Sequence, residues 1–234
     1  MPRITKLLIA GRGEIACRIM RAAREMGIAT VAVYADGDVA APFAREADVA
    51  VALRGATAAE TYLDIGKIIE AARQTGADAV HPGYGFLAEN AEFARAVTHA
   101  GLTWVGPRAE AIAAMGDKLA AKKLMAEANV PTLPSMEVTG SDVEAMLAAA
   151  RGVGYPLLVK AAACGGGKGM RVVAGEDDLA EAVAGARREA AGAFGDDTVF
   201  FERYLESSRH VEVQVFGDRH GNVVHCFERE CSIQ

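Results

Sequence analysis

Runs of apolar and polar residues divide the chain into two parts with different periodicity. In the first part, short apolar runs typical of buried strands alternate with stretches whose apolar residues recur at helical spacing. The strands are predicted over residues 6–10, 29–34, 48–53, 77–80 and 103–105, and the helices over residues 14–26, 62–75 and 89–100. Strands that alternate with helices predict a mostly parallel, doubly wound sheet in a first domain over residues 1–115.

After this block the pattern changes. The prolines of residues 130–134 indicate a hinge or linker. Helices are predicted over residues 118–128, 141–151 and 177–193, and strands over residues 157–160, 170–173, 199–202, 210–216 and 223–228. Helices set apart from antiparallel strands predict an α+β domain over residues 116–234. The last hairpin strand runs straight to the final residues, so we expect this domain to be incomplete at the C-terminus.

The glycine-rich loop that follows the strand at 157–160 is the first candidate site. Lys160 closes the apolar run, and glycines then stand at 165, 166, 167 and 169, around Lys168. Glycine lets backbone N–H groups approach a ligand closely, and a cationic, glycine-lined loop suits a polyphosphate. Lys160 supports this interpretation, because an ammonium at the end of an apolar strand is costly to bury without an anion. The loop is not a Walker A motif, since Ala162 replaces its first glycine.

A second glycine pair suggests a different function. Gly11-Arg-Gly13 follows a predicted strand and opens a helix, and Asp36 ends the next strand. This arrangement fits the dinucleotide fingerprint, so an NAD-dependent oxidoreductase remains an alternative. Glu14 argues against it, because its charge would repel a pyrophosphate. A tight turn without a ligand is the other interpretation of the same residues.

Several further residues have both a structural and a functional interpretation. The loop 81–90 follows the predicted strand at 77–80, where open α/β sheets place ligands, but its glycines and proline also suit a plain turn. Glu202 ends a predicted strand and would offer a carboxylate to a purine edge, or simply terminate the strand. His210 opens the next strand and is more typical of a structural residue. His225, Cys226 and Cys231 lack a fourth ligand, which excludes a zinc site.

Composition and charge narrow the class of protein. The net charge of −6 argues against nucleic acid as the main partner, because such binding depends on many phosphate contacts. Four cysteines show no disulfide spacing, and no apolar run approaches the roughly 20 residues of a membrane span. We expect a reducing compartment: the cytoplasm, or the mitochondrial matrix in a eukaryote.

Six motifs in consecutive order carry a resemblance to a known family. They are Ile9-Ala-Gly-Arg-Gly-Glu-Ile-Ala16, His81-Pro-Gly-Tyr-Gly-Phe-Leu-Ala-Glu-Asn90, Met115-Gly-Asp-Lys118, Gly165-Gly-Gly-Lys-Gly-Met-Arg171, Arg209-His-Val-Glu-Val-Gln214 and Glu228-Arg-Glu-Cys-Ser-Ile-Gln234. The chain resembles the biotin carboxylase family, the ATP-grasp component of acyl-CoA carboxylases and of pyruvate carboxylase. The resemblance implies a Rossmann-like pre-ATP-grasp domain over 1–115, then the first part of an ATP-grasp domain over 116–234, whose lid spans about 135–204.

The resemblance also implies a ligase reaction and its ligands. ATP phosphorylates bicarbonate to carboxyphosphate, and the CO2 equivalent carboxylates biotin on a carrier domain, which then meets a carboxyltransferase. The catalytic residues and the Mg2+ ligands are expected beyond Gln234, so a nucleotide-binding module without turnover remains a second alternative. Arg21 and Glu25 match positions of the family's dimer contact, which implies a homo-oligomer. No nucleic acid or membrane partner is implied.

The residues that the resemblance assigns to the nucleotide form one larger set. Two lysines are expected at the phosphates, five residues in the lid loop, and the others around the adenosine. In chain order the set is Lys118, Lys160, Gly165, Gly166, Gly167, Lys168, Gly169, Met170, Glu202, Arg203, Tyr204, Leu205, His210 and Gln234. The chain departs from the family pattern at Gly11, where Asn is usual, and at Cys164, which replaces a lid glycine.

Overall fold

The computed structural model describes residues 3–116, 118–138, 142–162, 170–194, 197–218 and 220–233. Contacts between Cα atoms divide the chain into two compact units, Met1–Ala114 and Met115–Gln234. Each unit has its own sheet and its own buried apolar cluster. Among the helices in the described ranges, none combines the length and the apolar character needed to cross a bilayer.

The first unit is built on a five-stranded parallel sheet. The strands are β1 (Lys6–Ile9), β2 (Ala29–Tyr34), β3 (Val49–Ala52), β4 (Ala79–His81) and β5 (Thr103–Trp104). The helices between and after them are α1 (Gly13–Glu25), α2 (Pro42–Glu46), α3 (Ile65–Thr75), α4 (Ala91–His99) and α5 (Ala109–Gly116). The strand order is β3-β2-β1-β4-β5, with every pair parallel. The chain therefore changes direction across the sheet between β1 and β4, where such sheets place ligands.

Helices cover both faces of this sheet because successive strand residues point to opposite sides. Leu8 of β1 packs in one apolar cluster with side chains of α3 and α4, whereas Leu7 and Ile9 pack in another with α1 and α2. Side-chain caps fix where two of the helices begin: Asp64 accepts a hydrogen bond from the Lys67 N–H, and Asn90 accepts one from the Phe93 N–H. The predicted doubly wound α/β architecture is confirmed.

The second unit contains an antiparallel sheet with two helices on one face. The strands are β6 (Ser135–Val138), β7 (Leu157–Ala161), β8 (Arg171–Val173) and β9 (Val199–Arg203), in the order β6-β9-β7-β8. The helices are α6 (Lys118–Glu127), α7 (Val143–Val153) and α8 (Leu179–Phe194). Val159 and Phe201 point into the apolar cluster formed with α7 and α8. The neighbouring side chains along β7 and β9 therefore lie on the opposite face.

A separate hairpin follows the four-stranded sheet. It consists of β10 (Val211–Gly217) and β11 (Val223–Glu230), which pair antiparallel with an irregularity between Val213 and Val215. Asp218 fixes the connecting turn by accepting hydrogen bonds from the main-chain N–H groups of His220 and Asn222. Apolar residues of both strands are exposed, among them Val223 and Phe227.

The structure departs from the predicted elements in a few places. The helix expected from residue 62 begins at Ile65, after the Asp64 cap. Strand β6 was not predicted, because the prolines before it indicated only a linker. The short helices α2 and α5 were also missed. The α+β character of the second unit is confirmed by its antiparallel sheet and packed helices.

Candidate functional site

A group of charged side chains in the second unit lies on the sheet face opposite α7 and α8. Lys160 of β7 stands directly across from Phe200 of β9, and Leu158 across from Glu202. Lys160 and Glu202 are therefore diagonal neighbours on one face, within reach of a long side chain. Their side chains form an ion pair, and the Lys160 ammonium lies 6.0 Å from the centre of the Phe200 ring.

A second lysine completes this group. Lys122 of α6 makes an ion pair with the other carboxylate oxygen of Glu202. Its ammonium also donates a hydrogen bond of 3.1 Å to the main-chain carbonyl of Leu133. The Glu202 side chain is only 10% exposed, and the two lysine side chains about twice that. We call Lys122, Lys160 and Glu202 the two-lysine cluster; it holds one negative and two positive charges.

Glu202 remains ionised in this setting. Burial raises the pKa of the carboxyl group, but the hydrogen bonds and charges of Lys122 and Lys160 together outweigh it, so the net shift is downward. The sequence indicated that Lys160 needs an anion, and the structure shows that a protein carboxylate lies beside it. Lys122 was missed, although its spacing from Lys118 was a usable signal, because residues four apart share a helix face.

The main chain after Glu202 limits what a purine can contact. The Arg203 N–H donates to the carbonyl of Pro134 at 3.0 Å, and the Tyr204 N–H donates to the carbonyl of Pro156 at 3.1 Å. Neither N–H is therefore available to a ligand in this structure. Arg203 retains its carbonyl oxygen as a candidate acceptor next to the Glu202 carboxylate. Leu205 follows with an exposed side chain.

The remaining predicted nucleotide residues lie at the following places. Lys118 is the first residue of α6, one turn before Lys122. Met170 is exposed and immediately precedes β8. His210 precedes β10, and its exposed imidazole lies 3.4 Å from the Glu212 carboxylate. Cys164, Gly165, Gly166, Gly167, Lys168, Gly169 and Gln234 lie outside the described residues.

In the first unit, polar side chains collect at the carboxyl ends of β1, β2 and β4. The Arg12 guanidinium lies 5.7 Å from the centre of the Tyr62 ring and 5.8 Å from that of Phe86, and pairs with Asp38 at 3.3 Å. The Tyr62 hydroxyl donates to Asp38 and accepts a hydrogen bond from the Ala35 N–H. Burial, followed by the hydrogen bond to Asp38, raises the pKa of Tyr62. These side chains line a cavity of about 230 Å3.

This arrangement does not favour a dinucleotide. Asp36, the expected ribose ligand, accepts a hydrogen bond from the Gly55 N–H. Arg12, the residue between the two glycines, is held by the aromatic rings and Asp38. Glu14 accepts a hydrogen bond from the Tyr84 hydroxyl and brings a negative charge to the helix start. Each of these three side chains is engaged by another group of the protein, which favours the tight-turn interpretation.

The loop after β4 is fixed by its own contacts. The Gly83 N–H donates to Nδ1 of His81 at 3.0 Å, and burial lowers the pKa of His81, which favours the neutral imidazole. Gly83 and Gly85 both have a positive φ, the conformation for which glycine is suited. Tyr84 projects from this loop with its ring exposed.

Two further sets of predicted residues are placed as follows. Arg21 and Glu25 stand four residues apart on α1, and both are exposed. Cys226 and Cys231 carry free thiols. Within the described ranges, no group of three or more His, Cys, Asp or Glu side chains is arranged to hold a metal ion.

Comparison with known families gives a match for each half of the chain. Residues 3–112 match the model described as biotin carboxylase, N-terminal domain. Residues 117–234 match the model described as carbamoyl-phosphate synthase L chain, ATP binding domain.

Individual relatives agree with these matches. The chain is 50% identical over 231 residues to methylcrotonoyl-CoA carboxylase subunit alpha of Oryza sativa, covering 99% of this chain and 31% of that protein. It is 48% identical over 232 residues to the biotin carboxylase of Haemophilus influenzae, covering 99% of this chain and 52% of that protein. The chain thus spans about a third to a half of the length of these curated relatives.

Solved structures give the same result. A biotin carboxylase from Campylobacter jejuni, in a β-γ-ATP complex, superposes with a TM-score of 0.93 at 44% identity, over 98% of this chain and 51% of that one. The biotin carboxylase domain of Hydrogenobacter thermophilus 2-oxoglutarate carboxylase, with MgADP, ADP and bicarbonate, gives 0.92 at 44% identity, over 100% of this chain and 51% of that one.

Proposed function

Because the chain belongs to the biotin carboxylase family, we propose that it serves in the ATP-dependent carboxylation of biotin. In this reaction bicarbonate takes the γ-phosphoryl group of ATP to give carboxyphosphate, and its CO2 equivalent is then transferred to biotin on a carrier domain. A carboxyltransferase passes the carboxyl group to an acceptor. The relatives that act on acyl-CoA compounds and on pyruvate support this class of reaction.

The observation that carries the proposal is the two-lysine cluster within the ATP-binding half of the chain. Phosphoryl transfer requires that phosphate charge be neutralised and that the reactants be aligned. Lys160 supplies a cation at the edge of the cluster, and Lys118 lies one turn before Lys122 on the same face of α6. We assign these two lysines to the phosphates.

The adenine is assigned to the other side of the cluster. An ionised carboxylate only accepts hydrogen bonds, so Glu202 is suited to the 6-amino group of adenine. The carbonyl of Arg203 is a second acceptor next to it, and Tyr204, Leu205, His210, Met170 and Gln234 are assigned to the rest of the nucleoside. Gly165, Gly166, Gly167, Lys168 and Gly169 are assigned to a lid. Closing a lid costs roughly 1–2 kcal/mol per ordered residue, so closure should follow nucleotide binding.

We assign residues 1–115 to the pre-ATP-grasp domain and residues 116–234 to the ATP-grasp domain, with the lid at about 135–204. From the family resemblance, we propose that the Mg2+ ligands and the catalytic residues lie after Gln234. The proposed partners are bicarbonate, the biotinylated carrier domain and a carboxyltransferase, in a homo-oligomer that uses Arg21 and Glu25. The proposed compartment is the cytoplasm, or the mitochondrial matrix in a eukaryote.

The test is ATP hydrolysis by the full-length protein. We expect hydrolysis to depend on bicarbonate and to increase when free biotin is added. Lys160→Met should abolish the bicarbonate-dependent hydrolysis of ATP. The matched control is Lys123→Met, which changes an exposed residue of α6 and should leave the hydrolysis unchanged. Hydrolysis that ignores bicarbonate would contradict the assignment. The same assay on residues 1–234 tests the narrower function of nucleotide binding without turnover.

A further inference from the structure

Lys122 has no role in the function proposed so far, yet it makes the second ion pair to Glu202. It also donates a hydrogen bond to the Leu133 carbonyl, on the segment that leads into β6. Its neighbour Lys123 is exposed and lies outside the cluster. The question is what the second cation adds to a carboxylate that already has Lys160.

The charge balance of the cluster gives an answer. With Lys160 alone, Glu202 would form a neutral pair, and movement of that ammonium to a phosphate would leave an almost buried carboxylate uncompensated. An unpaired charge in such a site is strongly unfavourable. With Lys122 present, the carboxylate keeps a counterion when Lys160 moves. The three side chains together carry a net charge of +1, which suits an anionic ligand.

The hydrogen-bonding capacity of the carboxylate is compatible with this exchange. Each oxygen of Glu202 accepts from one lysine, Lys122 on Oε1 and Lys160 on Oε2. A carboxylate oxygen has two acceptor sites, so capacity remains for an amino group of a ligand. The structure places one lysine from α6 and one lysine from β7 against this carboxylate, while Ser135 stands opposite on β6.

We propose that Lys122 is a positioning residue of the nucleotide site. It holds Glu202 ionised, as the acceptor for the 6-amino group of adenine, while Lys160 is released to the phosphates. This inference rests on the proposed function. It further predicts discrimination between purines, because guanine presents a 6-keto oxygen, an acceptor, to the same carboxylate, and two acceptors repel each other.

Calorimetric titration of the full-length protein with ATP and with GTP tests the proposal. Lys122→Met, which keeps most of the length of the side chain and removes its charge, should raise the Kd for ATP about tenfold, or about 1.4 kcal/mol. In Lys122→Met the ratio of the Kd for GTP to the Kd for ATP should also decrease, and Lys122→Arg should restore most of this preference for ATP. Lys123→Met is the matched control and should stay within twofold of the wild type.

A pH series separates positioning from a structural role. Without Lys122, Glu202 loses one of its two stabilising cations and takes up a proton at higher pH. As the pH is lowered, the ATP affinity of Lys122→Met should therefore begin to fall at a higher pH than the affinity of the wild type measured in the same series. If Lys122 only tethered Leu133, the variant would lose thermal stability with its ATP-to-GTP ratio and pH profile unchanged, and the proposal would be wrong.

Two further results keep the test decisive. In a Glu202→Gln background the carboxylate charge is absent, so adding Lys122→Met should change the Kd for ATP less than twofold. A tenfold rise in the Kd for ATP in the Glu202→Gln background would overturn the proposal. The comparison of Glu202→Gln with the double variant also provides the test if Lys122→Met alone does not fold. If the wild type does not bind ATP at all, the proposed function fails. If it binds ATP and Lys122→Met binds equally well, only the role of Lys122 fails.

Discussion

Removing one oxygen atom, in Tyr62→Phe, should destabilise the first unit more than most surface changes. The Tyr62 hydroxyl donates to the Asp38 carboxylate at 2.6 Å and accepts from the Ala35 N–H at 3.0 Å, in a side chain that is 2% exposed. The substitution deletes a hydrogen bond to a charged group, worth about 1.5–3 kcal/mol, and leaves a buried N–H unsatisfied at about 1–3 kcal/mol. Since such costs are not fully additive, we expect a loss of about 2–4 kcal/mol.

The assay uses the single tryptophan of the chain, Trp104, as a local probe. Trp104 packs edge-to-face on Phe93 in the first unit, so its fluorescence during urea denaturation reports on that unit. The midpoint of Tyr62→Phe should fall by more than about 1 M at unchanged slope. Tyr84→Phe makes the same chemical change at an exposed tyrosine and should cost less than about 0.5 kcal/mol. Equal midpoints for both variants would refute the reasoning.

Three other predictions address burial, pH and the ligand. Phe93→Ala should cost about 3–5 kcal/mol and shift Trp104 emission to longer wavelength; an unshifted spectrum would contradict the packing. Burial raises the pKa of Asp78, but hydrogen bonds from Thr5 and Lys6 outweigh it and lower the pKa. The ionised Asp78 therefore stabilises the fold above about pH 4, and this stabilisation is lost as the pH falls further. In urea denaturation, Asp78→Ala should cost roughly 1–2 kcal/mol at neutral pH and less at pH 2. A cost that is the same at both pH values would contradict the stabilising role of the Asp78 charge. Lys160→Met should raise the Kd for ATP at least tenfold in calorimetry, and an unchanged Kd would remove Lys160 from the phosphates.

Periodicity in the sequence was sufficient for the architecture of the first unit. Its strands are apolar runs separated by amphipathic helices, and both signals are local, so they can be read without knowledge of neighbours. The cap at Asp64 was also a local signal, and its use would have placed the start of α3 correctly. Strand β6 is different. Ser135–Val138 pairs with β9, more than 60 residues later, and no local pattern in the sequence indicates that partner.

The same distinction applies to the candidate site. Lys160 was identified because an ammonium group at the end of an apolar run is unusual, whichever partner it has. That Glu202 is this partner depends on the adjacency of β7 and β9, although β8 and α8 intervene along the chain. The contact of Lys122 with Glu202 depends in addition on where α6 packs within the unit, which is a tertiary property. Contacts of this kind do not follow from spacing in the sequence.

The difference between the central sheet and the hairpin of the second unit has a consequence for amide hydrogen exchange. Strands β7 and β9 lie inside a four-stranded sheet under two helices, so their N–H groups should open only with the unit itself. In β10 and β11 nearly every residue is exposed, and the ladder has one partner strand only. Deuterium should therefore exchange into the hairpin far sooner than into the sheet. The hairpin then serves as an internal reference for measuring how much a nucleotide protects β7 and β9 from exchange.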